Sequence, residues 1–200
     1  RFARNQTWQG PTLTVLRSLS RIGDVHHGED ERLRYVAPKL AQFWQQRLQD
    51  PRSSQQLAGQ QELFRHYLQI VGDIHRTGVR LLAGTDALNP FCFPGFSLHD
   101  ELELLVQAGL SPMQALQTAT RNPAEYLDEL GSTGTIAAGK RADLVLLGAD
   151  PLADIRNTRR IEGVIAAGSV LTRTRLDAML SQVQAVTLAQ GSPAVRRPAS

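Results

Sequence analysis

A short apolar run closed by a single acid, VRLLAGTD at residues 79–86, constrains this chain more than any other stretch. Val79, Leu81, Leu82 and Ala83 are too few for a helix and too uniformly apolar for a half-exposed hairpin, so they predict a parallel strand over about 79–84, covered on both sides. Helical patterns flank the run. Before it, Leu63, Phe64, Tyr67, Leu68, Ile70, Val71 and Ile74 make one broad apolar face over 62–77, and Gly78 is placed to end it as a left-handed cap. After it, Leu98, Leu102, Leu105 and Val106 form the inner stripe of a helix that starts at Ser97 or Leu98 and stops at Gly109. Helix, strand, helix is the rhythm of an α/β fold.

The rest of the chain extends this plan. A strand is expected at Thr12–Leu16 after Gly10-Pro11, and residues 20–34 read as a polar loop. Leu40, Phe43, Trp44 and Leu48 give a helix, and residues 50–61 read as a polar link. Two helix starts are written alike: Ser111-Pro112 with Gln114, and Asn122-Pro123 with Glu125, each an N-cap, a first-position proline and a reciprocal partner. After Gly131 the pattern becomes short strands with glycine turns, at Ala142–Leu147 and about Gly163–Ala167, turning at Gly139 and Gly168. The expected units are residues 1–133, a small β unit at 134–172, and a helix with a disordered end over 173–200.

Composition excludes several classes. With 42% hydrophobic and 20% charged residues the chain is an ordinary globular protein, and no apolar run reaches the roughly 20 residues of a membrane helix. One cysteine, Cys92, forms no internal disulfide framework. The net charge of +3 arises entirely after residue 172, and the body balances, so neither a nucleic acid nor a membrane is an expected partner.

Asp86 is the leading chemical candidate. At the C-terminal end of a barrel strand a carboxylate can bind a metal and exchange a proton with its water. From position alone, capping the loop or pairing with a basic neighbour is the simpler role. Adjacent His26 and His27 read as a solvated loop, and His66 and His75 as structural. Phe91, Phe93 and Phe96 either contact a ligand or pack the loop.

The segments GVRLLAGTDALNP, GFSLHDELELLVQAGLSPMQALQTATRNPAEYL and GTIAAGKRADLVLLGADPLADI together resemble the C-terminal half of amidohydrolase-superfamily enzymes, in the subgroup of imidazolonepropionase-like and Xaa-Pro-dipeptidase-like hydrolases. The likeness runs from about Thr7 to Leu180, with WQGPTLTVLR resembling the seventh barrel strand and LLAGTD the eighth. It implies an α/β fold: the C-terminal part of a (β/α)8 TIM barrel plus part of a small β-sandwich domain. It also implies a hydrolase of carbon–nitrogen bonds, such as non-peptide or cyclic amides, working through a metal-activated water on a small-molecule substrate. By this resemblance Asp86 binds a divalent metal, zinc, and shuttles the proton, while Asn89 and His99 face the barrel mouth as substrate contacts. Lys140, Arg141 and Asp143 belong to the small β domain, away from the chemistry. Homo-oligomers are common among such enzymes.

The sequence also departs from the family pattern. No His-x-His is present, and the other metal ligands of the family come from strands one to six, so this segment alone is expected to be inactive. The alternative is an inactive remnant or homologue that binds a partner chain through exposed strand edges.

Overall fold

A computed structural model describes residues 1–49 and 52–191. Its organising feature is a pair of parallel strands, β1 (Trp8–Gln9) and β2 (Arg80–Leu81), with Trp8 opposite Arg80 and Gln9 opposite Leu81. Three helices connect them: α1 (Leu13–Ser20), α2 (Pro38–Leu48) and α3 (Ser54–Arg76). Then follow α4 (Ser97–Gln107), α5 (Pro112–Ala119) and α6 (Arg121–Tyr126). A three-stranded antiparallel sheet comes next, β3 (Leu144–Leu147), β4 (Ile161–Ala166) and β5 (Ser169–Thr172) in that spatial order. Helix α7 (Arg173–Ala189) follows it. The architecture is mixed α/β, as expected, and among the described residues the parallel strands do not close a barrel. No described helix is long and apolar enough to cross a membrane.

The core forms where the apolar run meets the helices. Leu81 packs with Leu13 of α1, Val71 of α3, and Leu102, Leu104 and Leu105 of α4, all nearly inaccessible. Leu104 takes the inner place expected of Leu98, which is exposed. At Gly72, α3 approaches the end of α4 so closely that an added Cβ would lie 2.2 Å from the Ala108 carbonyl oxygen. Because that neighbour is backbone, Gly72→Ala is expected to destabilise the chain by about 2 kcal/mol, read as a lower urea midpoint at unchanged slope.

Several expectations are corrected. Residues 12–16 are not a strand. Helix α1 starts there because the buried carboxylate of Glu101 accepts from the Leu13 and Thr14 amides at 3.0 and 2.7 Å and from Thr14 Oγ1 at 2.8 Å. An acid at the positive end of a helix satisfies its free N–H groups. The strand lies earlier, at Trp8–Gln9. The polar link is mostly helix, since Ser53 and Gln56 form a capping box that starts α3 at Ser54; residues 50 and 51 lie outside the described residues. The strand at 79–84 shrinks to two residues, because Leu82 still donates to Gln9 but Ala83 turns to donate to Thr118. Ser111 and Gln114 form the expected capping box, whereas Asn122 caps nothing: its Nδ2 donates to the Leu81 carbonyl at 2.9 Å, tying α6 to β2. Of the end expected to be disordered, residues 191–200, all but Gly191 lie outside the described residues.

The Gly139–Asp143 segment is structural, as expected. Lys140 Nζ donates to Thr135 Oγ1 at 2.6 Å and to the carbonyls of Leu130 and Thr133, and Asp143 accepts from the Ala167 amide at 2.7 Å. These bonds tie β3 to the preceding turn and to the β4–β5 hairpin.

Candidate active-site loop and flanking cleft

Asp86 stands beyond the C-terminal end of β2, exposed, with φ of +51°. Leu88 and Phe91 also have positive φ, +79° and +57°. Three such non-glycine residues within six positions cost backbone energy, so the surroundings must hold the loop. Asn89 does so locally: its Nδ2 donates to the Asp86 carbonyl at 3.0 Å, and its own carbonyl accepts from the Cys92 amide at 3.0 Å. From beneath, fully buried Trp44 donates Nε1–H to the Leu88 carbonyl at 3.3 Å and packs edge-on to Phe93 at 5.4 Å. Phe91 and Phe93 are buried in this cluster with Leu33, Val36 and Ala41, so they pack the loop. Burial and the charge of Asp86 push the Cys92 thiol up to about 12, which leaves it inert at neutral pH.

His27 is not a freely solvated side chain but half-buried. It stacks on Phe91 at 4.2 Å between centroids and shares a 3.1 Å hydrogen bond with Ser18 Oγ, which itself donates to the Pro90 carbonyl. Burial, with help from Arg21, lowers its pKa to about 4. The unfolded chain, at 6.5, therefore binds more protons between these values, and stability falls as pH drops from 6.5 towards 4. A loss of about 2 kcal/mol is expected over that window, less than the full shift because the ring is partly solvated. Urea unfolding of wild type and His27→Gln checks it: the variant should lack this slope. Sequence alone gave no signal for His27, since nothing local predicts its contact with Phe91.

His99 is held apart from Asp86. Its Nδ1 bonds Thr158 Oγ1 at 3.0 Å, and it lines a cleft of about 720 Å³ between α4, β4 and α7 that neither Asp86 nor Asn89 reaches. Burial and Arg159 lower its pKa. The structure thus brings Asp86 and Asn89 together and places His99 elsewhere.

Between loop and cleft lies a charged hub that sequence reading missed. Asp100, 5% exposed, pairs with Arg17 of α1 at 3.2 Å, with Arg32 at 2.7 Å and with Arg159 at 2.7 Å. Burial raises its pKa, but Arg32, then Arg159 and Arg17, outweigh that and hold its carboxyl below the usual range. The sequence carries no hint of it: the burial of the adjacent acids Asp100 and Glu101 is set by the fold, and the arginines lie far from them along the chain.

Residues 35–171 match the model of the amidohydrolase family, which spans β2, the Asp86 loop and the small sheet. The chain belongs to the amidohydrolase family. The chain is 39% identical to an adenine deaminase from Ligilactobacillus salivarius over 66 residues, which cover 33% of the chain and 11% of that protein. In structure it is similar to a bottromycin amidohydrolase, with a TM-score of 0.76 and 25% identity over 96% of the chain and 44% of that structure. A Xaa-Pro dipeptidase shares the fold at a TM-score of 0.58 and 22% identity, over 86% of the chain and 36% of that structure. The chain spans less than half the length of these amidohydrolase relatives.

Proposed function

We propose that this amidohydrolase chain carries the general acid–base carboxylate of a hydrolase acting on non-peptide or cyclic carbon–nitrogen bonds. The observation that carries the reading is Asp86: an exposed carboxylate on a strained, well-braced loop directly after a parallel strand. In this reading residues 1–133 are the closing part of a TIM barrel and 134–172 part of a flanking β domain, of which the three-stranded sheet is one layer. Water adds to the carbon of the C–N bond, Asp86 takes a proton from it, and the same carboxyl returns that proton to the departing nitrogen. Asn89 fixes Asp86 through its Nδ2 and offers Oδ1 to the substrate. The proposed ligand of His99 belongs to the separate cleft.

The family generally uses divalent metals. Among the described residues no group of three or more His, Cys, Asp or Glu side chains converges to hold one. A catalytic zinc takes about three protein ligands, so these residues do not make its site by themselves.

The test is a panel assay of the natural protein on adenine, cyclic amides and other non-peptide amides. Hydrolysis of at least one is expected; inertness toward all of them contradicts the reading. The chain of residues 1–200 alone, with zinc added, should turn over none.

A second reading, a chain that chiefly binds another copy of itself, is favoured by the outer face of the small sheet. By register Leu144, Leu146, Ile165 and Val170 share that face, and Leu146 and Val170 are 67% and 69% exposed. Sedimentation equilibrium tests it: a monomer at all concentrations removes it.

A further inference from the structure

The cleft of about 720 Å³ lies within the range of small-ligand sites, about 300–1,000 Å³. Its two sides differ in chemistry. One is apolar: Phe96 from the loop, Ile161 and Val164 from β4, and Leu176, Met179 and Leu180 from α7. Met179 is 42% exposed, so this side opens to solvent. The other side holds three guanidiniums, Arg32, Arg159 and Arg173, with His99 and a single carboxylate, Asp100.

Asp100 is nearly inaccessible and already takes three arginines, so what the cleft offers to a ligand is cationic N–H. Asp30, Glu103 and Asp177, which complete the local charge balance, do not line it. Three of the five N–H groups of Arg32 go to Asp30 and Asp100, which leaves two. Arg159 spends one on Asp100 and one on Glu103. Arg173 is held by Asp177 and by the Ile161 carbonyl at 2.7 Å.

These donors are positioned before any ligand arrives. Arg32 and Arg159 grip the two oxygens of the same Asp100 carboxylate, each at 2.7 Å, so their guanidiniums flank one small volume. Phe93 lies under Arg32, 4.4 Å from its guanidinium carbon. Thr158 fixes the His99 ring through Nδ1, and no described residue bonds its Nε2. Preorganised charged donors beside an apolar wall favour a ligand that is anionic at one end and apolar at the other. We infer that this cleft binds a small amphipathic monocarboxylate, its carboxylate on Arg159, Arg32 and Arg173 and its apolar body along α7. The site is independent of the Asp86 reading, since neither Asp86 nor Asn89 lines it.

Octanoate and octan-1-ol, titrated calorimetrically into the natural protein, test the inference. Octanoate should saturate one site, and octan-1-ol should bind at least tenfold more weakly. Arg173→Gln and Arg159→Gln should each weaken octanoate at least tenfold, and Met179→Glu should do the same from the apolar side. Arg173 lies on the partly exposed start of α7, so its variant retains the fold even if Arg159→Gln does not. Asp86→Asn should leave the affinity unchanged, which separates failure here from failure of the hydrolase reading. No saturable binding, equal binding of the alcohol, or full affinity in Arg173→Gln overturns the inference.

Discussion

Asp86→Asn is expected to lower the kcat/KM of the natural protein for a carbon–nitrogen substrate by about 10³-fold or more, with a thermal midpoint within about 2 °C of wild type. In the proposed reading Asp86 both takes and returns the proton, so its removal abolishes general acid–base catalysis, which is worth about 10²–10⁴-fold. The variant is clean for structural reasons. The Asp86 side chain is exposed and accepts no hydrogen bond from another described residue; the loop is held through its carbonyl, which Asn89 grips. Its φ of +51° falls where Asn is among the best tolerated of non-glycine residues. An isosteric amide therefore keeps the backbone and loses only the basicity. Steady-state kinetics with thermal melts in parallel check both halves of the expectation.

Asp100→Ala is expected to destabilise the chain by about 4 kcal/mol. The substitution leaves three arginines facing each other around a buried site, and removing one member of a buried ionic cluster costs about 3–5 kcal/mol. Arg32 keeps Asp30 and Arg159 keeps Glu103, which limits the loss. The sign of the pH dependence follows from the lowered pKa values of Asp100 and Asp30. Their stabilisation is fully present above the unfolded value of about 3.8 and is lost as pH falls through the lower folded values. Urea midpoints measured from pH 7 down to 2.5 should show an acid limb in wild type that is much shallower in Asp100→Ala. Midpoints within about 0.5 kcal/mol of wild type at pH 7 would contradict the hub.

How much of this was legible in the sequence depends on how local the cause is. The capping box at Ser111 and the turns at Gly78, Gly139 and Gly168 were readable, because each is set within a few residues and the φ values at those glycines are positive; the helix stripes were readable only in part, since Phe43, Leu63, Ile70 and Leu98 are exposed. The parallel strand before Asp86 was readable from VRLLAG, although its length was not, since the partner strand decides where pairing stops. The helix at Leu13 was misread as a strand because its cap, Glu101, is 88 residues away. Asn122 was misread for the same reason: its partner is the Leu81 carbonyl, not its own helix.

The site divides in the same way. Asp86 and Asn89 fall together because three residues separate them. His99, expected to face the barrel mouth, bonds Thr158 in the small-sheet unit and lines the cleft, a contact no local pattern announces. The Asp100 hub was invisible because Arg17, Arg32 and Arg159 converge from three different elements.

The most direct test of the central claim is isotope incorporation from H2 18O during hydrolysis by the natural protein, run beside its Asp86→Asn variant at equal enzyme. The account predicts one 18O atom on the carbon that loses nitrogen, and product from the variant lower by about 10³-fold. Product without 18O, or a variant that turns over within about threefold of wild type, would contradict the role given to Asp86.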